Sequence, residues 1–255
     1  QSRISYVPSA ALVVRRAATS LPFFDPALRG GEDVDLVWRL TEAGWDVRYT
    51  PDSVVRHHGP ETFTQWVSRR AFYGTAAAPL SARHPGRLAP LHTSAWTAGF
   101  WGLLATRRPV AAVLTLSASI VVLARRLGST VDQPVKVATH IAGGGTVKSL
   151  LPGLSGLTRA WSPALVLGLC CRRTRRQAAA ALLVPAMGDW LSQARDQNPV
   201  SFTVLHVADD LSYGTGVWAG CLKERTLEPL LPRLTWRSRV WSAASLKNLP
   251  TADRT

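Results

Sequence analysis

The chain has 255 residues, with 30 lysines and arginines against 16 acids for a net charge of +14, and is 46% hydrophobic and 18% charged. That composition excludes intrinsic disorder over most of the length and allows one or two domains with their own cores. It also points to anionic partners: a membrane surface, phosphates or nucleic acid. Three cysteines, two of them adjacent (Cys170 and Cys171), make no disulfide framework and fit a reducing compartment.

Residues 1–80 hold 9 basic and 8 acidic side chains, whereas residues 81–255 hold 21 and 8. From Arg83 to Arg176 there are 13 basic residues and one acid, Asp132, and most of the basic residues bracket apolar runs, a pattern suited to a lipid surface. The text from Ser2 to Arg16 reads as the middle of a fold, which leads to the expectation that a preceding portion is missing.

The first third alternates short strands and helices. Ala10 to Val14 fits a buried strand, and Leu21 to Pro26, with two prolines and an aspartate, a loop. After Gly30-Gly31, the spacing of Leu36, Val37, Leu40 and Ala43 predicts a helix from near Glu32 to Gly44. Alternation at Trp45, Val47 and Tyr49 predicts a strand, Pro51 to Ser53 a turn, and Val54 to His58 a second extended run. Glu61 to Gly74 reads as an amphipathic helix with Phe63, Trp66, Val67, Arg70 and Tyr73 on one face and Arg69 on the other.

Beyond Pro79 the pattern turns helical. Pro109 to Ala124 is 16 residues without charge between Arg107-Arg108 and Arg125-Arg126, long enough to span a thin bilayer, lie in an interface or sit in a core. Gly143 to Gly145 predicts a break, and Pro163 to Cys171 and Ala178 to Met187 are apolar tracts too short to span. Pro199 to Leu234 again has helical spacing, with Gly214 and Gly216 expected to end the helix, and Trp236 to Thr255 reads as a basic tail.

Chemistry concentrates in Glu32-Asp33-Val34-Asp35, followed 24 residues after Asp33 by His57. Carboxylates in the first turn of a helix gain about 0.3 to 1 kcal/mol from the helix dipole, which suits either helix capping or a general base. His57-His58 at a strand end is either a structural pair or a source of an imidazole ligand for a divalent metal. His206, Asp209 and Asp210 share a helix face and read mainly as caps and surface polar groups. Trp38 and Trp66 read as core side chains or as sugar-stacking platforms.

Taken in order, Val13 to Arg16, Phe24 to Leu28, Gly31 to Leu36, Arg39-Leu40, Ala43 to Trp45, Tyr49 to Pro51 and Val55 to His57 resemble the second half of a family 2 glycosyltransferase with a GT-A fold. Tyr73 to Leu80, Val184 to Leu191, Ala208 to Gly220 and Glu224 to Arg233 resemble the glycosyltransferases of the mycofactocin system in particular. The resemblance implies an α/β fold. Residues 1–80 would be the acceptor-side part of the GT-A domain, residues 81–235 a helical, basic, membrane-associated region, and 236–255 a tail.

The resemblance also implies a UDP-sugar donor, UDP-glucose, and a peptide-derived redox-cofactor precursor as acceptor, glucosylated repeatedly with inversion to β-linked glucose. Asp33 takes the role of base, Glu32 adjoins it, and His57 binds Mn²⁺ or Mg²⁺. Arg69, Arg70, Trp38 and Trp66 are weaker candidates for diphosphate or acceptor contacts, and Asp35 is expected to support the helix. The site of action is the cytoplasmic side of a bacterial membrane with an anionic surface.

A chain lacking the donor-binding half is expected not to bind UDP-glucose appreciably. The alternatives are a membrane-associated glycosyltransferase acting on a lipid or polysaccharide, and a non-catalytic membrane-interaction module. Nucleic acid is not an expected partner, because the charges flank apolar runs instead of interleaving with aromatics.

Overall fold

The computed structural model describes residues 11–18, 23–50, 54–56, 58–128 and 130–235. The chain divides into two compact units, Gln1–Pro90 with Leu151–Leu231, and Leu91–Leu150 with Pro232–Thr255.

The first unit is helical. α1 (Glu32–Glu42) begins after Gly31, whose φ of +75° is the left-handed conformation that glycine adopts without steric cost. Its buried face carries Leu36, Val37 and Leu40, as the spacing predicts. α2 (Phe63–Thr75) is started by Thr62, whose hydroxyl accepts from Gln65 N, while Gln65 Oε1 accepts from Glu61 N. α3 (Ala77–Arg83) follows directly.

The second segment of this unit supplies three long helices, which we label after the intervening elements: β1 (His92–Ser94), α4 (Ala95–Ala105), α5 (Pro109–Leu127), α6 (Pro134–Ala138) and α7 (Gly145–Lys148). They are α8 (Leu150–Leu169), α9 (Arg175–Gln193) and α10 (Pro199–Glu224). α10 starts with Pro199 behind Asn198, whose side chain accepts from the Val200 and Ser201 amides.

Gly214 and Gly216 do not end α10. They let other helices approach: a methyl group at Gly216 would overlap the Ala71 carbonyl oxygen of α2, and one at Gly214 would overlap Ser162 of α8. On α2, Gly74 faces Tyr213 and Val217 of α10 in the same way. The core around this crossing contains Ala77, Ala78, Ala160, Val217, Cys221 and Leu230, sealed by the edge-to-face pair Trp161 and Trp218. The expected boundary near residue 80 falls inside this unit.

Proline in the middle of α9 is also accounted for by packing. Pro185 has no N–H for the carbonyl four residues back, Ala181, and that oxygen instead accepts from the Thr158 hydroxyl of α8 at 2.8 Å. The freed acceptor thereby becomes a tie between two helices.

The second unit contains a short parallel ribbon, β1 with β2 (Arg233–Thr235), in the register His92 with Arg233, Thr93 with Leu234 and Ser94 with Thr235. Ser94 also caps α4, accepting from Thr97 N. Trp101 on α4 donates to the Thr146 carbonyl at 3.1 Å. Gly143 to Gly145 do not break the chain, because a π-helical turn over Thr139–Gly144 joins α6 to α7. α5 has 19 residues and is, among the described residues, the one helix long and apolar enough to cross a membrane.

Several expected strands are absent among the described residues. Residues 12–15 are irregular with Val13 fully exposed, residues 45–50 contain only an isolated bridge at Arg48, and Val54 and Val55 are irregular and exposed. A half-buried strand needs a sheet to bury its apolar face, and the described residues around these segments provide none. Among the described residues of 1–80 the regular elements longer than one turn are α1, α2 and the start of α3. Ala10, Leu21, Pro22, residues 51–53, His57 and the tail 236–255 lie outside the described residues.

Candidate active site at the start of α1

The first turn of α1 presents Glu32 and Asp33 half-buried at the helix end where backbone N–H groups are unpaired and the dipole is positive. Asp33 Oδ1 accepts from the Val34 amide at 2.8 Å. Two residues on, Asp35 is buried at 1% exposure and plays a different part.

Asp35 Oδ2 accepts from Arg39 Nε at 2.7 Å, one turn along α1, and Oδ1 lies 2.9 Å from His84 Nε2. His84, itself buried, turns its Nδ1 toward Glu42 Oε1 at 3.2 Å, and Arg87 reaches the same Glu42 oxygen at 3.0 Å. Arg83 joins Asp25 at 2.7 Å. Asp25 also accepts from the Ala27 amide, and this bond, with Arg83, holds its carboxyl below the usual carboxylate range. Asp35 supports the helix as expected, and in addition Asp35 near the start of α1 and Glu42 at its end are both tied to His84 just after α3. The rigid part of the acidic segment is thus Asp35, and the part left at the surface is Glu32 and Asp33.

Beside this helix start lies a cleft of about 250 Å³ whose wall includes Arg29, Gly30, Phe72, Thr75, Lys223 and Glu224. Gly30 immediately precedes the αL residue Gly31, so the cleft reaches to two residues before α1, and neither Glu32 nor Asp33 lines it. Arg29 and Lys223 bring two exposed cations against one exposed acid, Glu224, and Phe72 an aromatic face, a combination of net positive charge suited to an anionic or sugar-bearing ligand. Sequence reasoning missed this trio. Arg29, adjoining the Gly-Gly pair, was the one available signal, whereas Lys223 arrives only through the α2–α10 crossing.

The other sequence candidates are dispersed. Trp38 is in the core, edge-on to the His84 ring at 5.0 Å and covered by Arg87 at 5.2 Å, which is the packing role and not a platform. Trp66 is half-buried against Phe63, and Arg69 is exposed. Arg70 is committed inward: its Nη2 donates to Asp209 Oδ2, and its guanidinium lies 5.7 Å from the Tyr213 ring. His57 is outside the described residues, and among the described residues no three histidine, cysteine or acidic side chains meet as a metal site.

A second polar cluster lies on α8, α9 and α10. His206 Nε2 is 3.1 Å from Asp189 Oδ2, and Arg159 Nε donates to Asp210 Oδ1 at 3.3 Å. Asp210 is a buried side chain in mid-helix, not the cap or surface group its spacing implied, because α10 continues 14 residues past it. Burial pushes its carboxyl above the ordinary range, with His206 and Arg159 opposing the shift.

No family model and no solved structure matches the chain significantly. Among curated proteins, the chain is 35% identical over 245 aligned positions to the pre-mycofactocin glycosyltransferase of Mycobacterium tuberculosis strain CDC 1551 / Oshkosh, covering 91% of this chain and 52% of that protein. The pre-mycofactocin glycosyltransferase of strain ATCC 25618 / H37Rv matches to the same extent. The chain spans about half the length of these relatives, and the similarity supports its reading as part of a glycosyltransferase of the mycofactocin system.

Proposed function

We propose that this chain supplies the acceptor side of a family 2 glycosyltransferase that moves glucose from UDP-glucose to the peptide-derived precursor of a redox cofactor. The observation that carries the reading is the pair Glu32 and Asp33 at the start of α1, two residues on from Gly30 in the wall of a cleft with two cations and one acid, in a chain similar to proteins named pre-mycofactocin glycosyltransferase.

In this reading the Asp33 carboxylate takes the proton from the acceptor hydroxyl as its oxygen forms a bond to the anomeric carbon. The bond from that carbon to the diphosphate oxygen breaks on the opposite face, so configuration inverts and β-linked glucose results. Glu32 orients the acceptor. Asp35, anchored by Arg39 and His84, fixes the direction in which α1 presents Asp33. Arg29 and Lys223 stabilise the anionic diphosphate or an acceptor carboxylate. A divalent ion, Mn²⁺ or Mg²⁺, belongs to this reading with His57 as its ligand and would neutralise the departing diphosphate when bound. The described residues assemble no metal site of their own, and no step above is routed through it.

α5 supports a membrane surface as part of this reading. Its Val110, Leu114 and Val121 are exposed, and its apolar stretch runs from Arg107-Arg108 just before it to Arg125-Arg126 in its last turn. Exposed aliphatic side chains between cationic ends suit an anionic lipid surface, which we place on the cytoplasmic side of a bacterial membrane.

The test is UDP-glucose turnover with the peptide-derived acceptor, using a protein of the relatives' length that carries this sequence. Asp33→Asn in a folded protein is expected to lower kcat by about 10² to 10⁴-fold, the usual contribution of a positioned base. Unchanged turnover would refute the assignment of Asp33. Flotation of the full chain with anionic but not with neutral liposomes is expected of α5, and equal flotation with neither would refute the membrane location.

A further inference from the structure

The turn between α8 and α9 takes no part in the reaction proposed above. It runs from Cys170 to Thr174 and is exposed throughout. Of the three cysteines, Cys221 behaves as a small apolar side chain, buried in the core beside Val217, with its thiol pushed up by burial. Cys170 and Cys171 instead stand side by side at the surface.

The turn closes on Cys171. Its carbonyl oxygen accepts from the Thr174 amide at 3.1 Å and from the Arg175 amide at 2.9 Å, so residues 171–175 wrap into one tight loop. Arg172, Arg173, Arg175 and Arg176 follow the thiol within five positions, all of them exposed, and none pairs with an acid among the described residues. Along the chain the nearest acids are Asp132 and Asp189, 39 and 18 positions from Cys171. Four guanidinium charges without a counter-charge attract anions to the turn and repel cations. The Arg173 backbone amide also donates to Cys171 Sγ and holds this thiol below its ordinary range, which enlarges its thiolate fraction near neutrality.

An accessible thiolate attacks disulfides, and the surrounding charge selects which disulfide arrives. One carrying carboxylates is drawn in, whereas one carrying amines is held off. The neighbouring thiol does not undo the product. Adjacent Cα atoms are about 3.8 Å apart across a trans peptide, and a disulfide needs about 4.4 to 6.8 Å between Cα atoms. Cys170 therefore cannot displace a group from Cys171 without distorting the turn.

We infer that Cys171 is a site of thiol modification by small anionic disulfides, which Arg172, Arg173, Arg175 and Arg176 steer to it. The Cys171 proton passes to water, and the thiolate forms a bond to one sulfur of the small disulfide. The old S–S bond breaks, and its electron pair leaves with the other half as a thiolate, which takes up a proton. Cys171 is oxidised to the mixed disulfide as one half of the reagent is reduced. The attached carboxylates then lie among the four guanidinium groups and lower the charge of the turn. The modification is independent of the acceptor chemistry assigned to Asp33.

The experiment exposes the reduced full chain to oxidised glutathione, which carries carboxylates, or to cystamine, which carries amines, and follows adducts by intact mass and peptide mapping. One glutathione is expected on the native chain, at Cys171, forming more slowly as salt is added. Cys171→Ser should abolish it and Cys170→Ser should leave it. With all four arginines replaced by glutamine, in a chain shown by circular dichroism to be folded, the rate with oxidised glutathione relative to cystamine should fall about tenfold or more. Three results would overturn the inference: an adduct on Cys170 in place of Cys171, a rate ratio that the arginine replacements leave unchanged, or a disulfide between Cys170 and Cys171 as the end product.

Discussion

Replacing Gly216 by alanine should destabilise the chain even though alanine is the better helix former. In a helix interior the exchange contributes about 1 kcal/mol of stability by itself. At Gly216, however, the new methyl group would overlap the Ala71 carbonyl oxygen and come within 3.0 Å of the Gly74 Cα. Both obstacles are backbone atoms of α2, so no side chain can rotate away and the helices must part. Overpacking of this kind costs about 1 to 3 kcal/mol. The upper end applies here, since parting the helices also loosens Gly74 against Val217 and Gly220 against Thr75. The net expectation is a loss of about 2 kcal/mol, or about 4 to 8 °C in Tm for a chain of this size. Urea and thermal unfolding followed by circular dichroism measure it. Gly102→Ala in α4 is the matched control: nothing lies within 4 Å of the added methyl, so it should gain up to about 1 kcal/mol. If Gly216→Ala is as stable as Gly102→Ala, the close approach of α2 and α10 is wrong.

Other consequences are open to measurement. Asp35→Ala leaves His84 and Arg39 facing an empty buried site and should cost about 3 to 5 kcal/mol in urea unfolding, whereas Glu32→Ala should cost under about 1 kcal/mol. Asp210 has a folded-state pKa raised by burial among His206, Arg159 and Asp209, so its stabilising contribution is complete below the unfolded value of about 3.9 and is lost as pH rises through the folded one. Asp210→Asn removes that loss, and its stability relative to the wild type should therefore improve from pH 4 toward neutrality; a difference independent of pH would refute the shift. Cys170 and Cys171 are exposed and Cys221 is buried, so a thiol reagent should label two cysteines in the native chain and the third only on unfolding. Backbone amides at Arg173 and Thr174 favour the Cys171 thiolate, which should react at lower pH than an ordinary thiol.

Local signals served where local forces decide. Gly31 before Leu36, Val37 and Leu40 was enough to place α1, and its end at Glu42 is two residues short of the expectation. Thr62 and Gln65 started α2 in the same way. The strand at Trp45 to Tyr49 failed because alternation specifies a face, and only a partner makes it a strand; of the apolar run Ala10 to Val14, the described residues 11–14 are irregular as well. Gly143, Gly214 and Gly216 were read as breaks from propensity, yet two of them are where helices touch and the third sits in a π-helical turn. At the site, the Glu-Asp segment was legible as a helix start with surface acids. The role of Asp35 depends on His84, 49 residues away, and that of Arg70 on Asp209, 139 residues away, and neither partner has a sequence mark. His206 and Asp210 were legible as neighbours one turn apart on a helix, whereas the burial of Asp210 beside Arg159 and Ser162 of α8 was not.

The interleaving of the two units has a consequence in time. The chain is made from one end, and the partners in each unit are separated by long stretches: α2 waits for α10, and β1 for β2, 141 positions from His92 to Arg233. Closing such a loop costs about 4 kcal/mol in entropy beyond the constant term, so little of either unit can be secured before its second segment emerges. Neither unit is therefore an independent early product of synthesis, and no single cut releases both intact. A piece such as 81–255 would carry α10 with the glycine face that α2 covers laid bare, so that its adhesion to lipid would report on the cut as much as on α5.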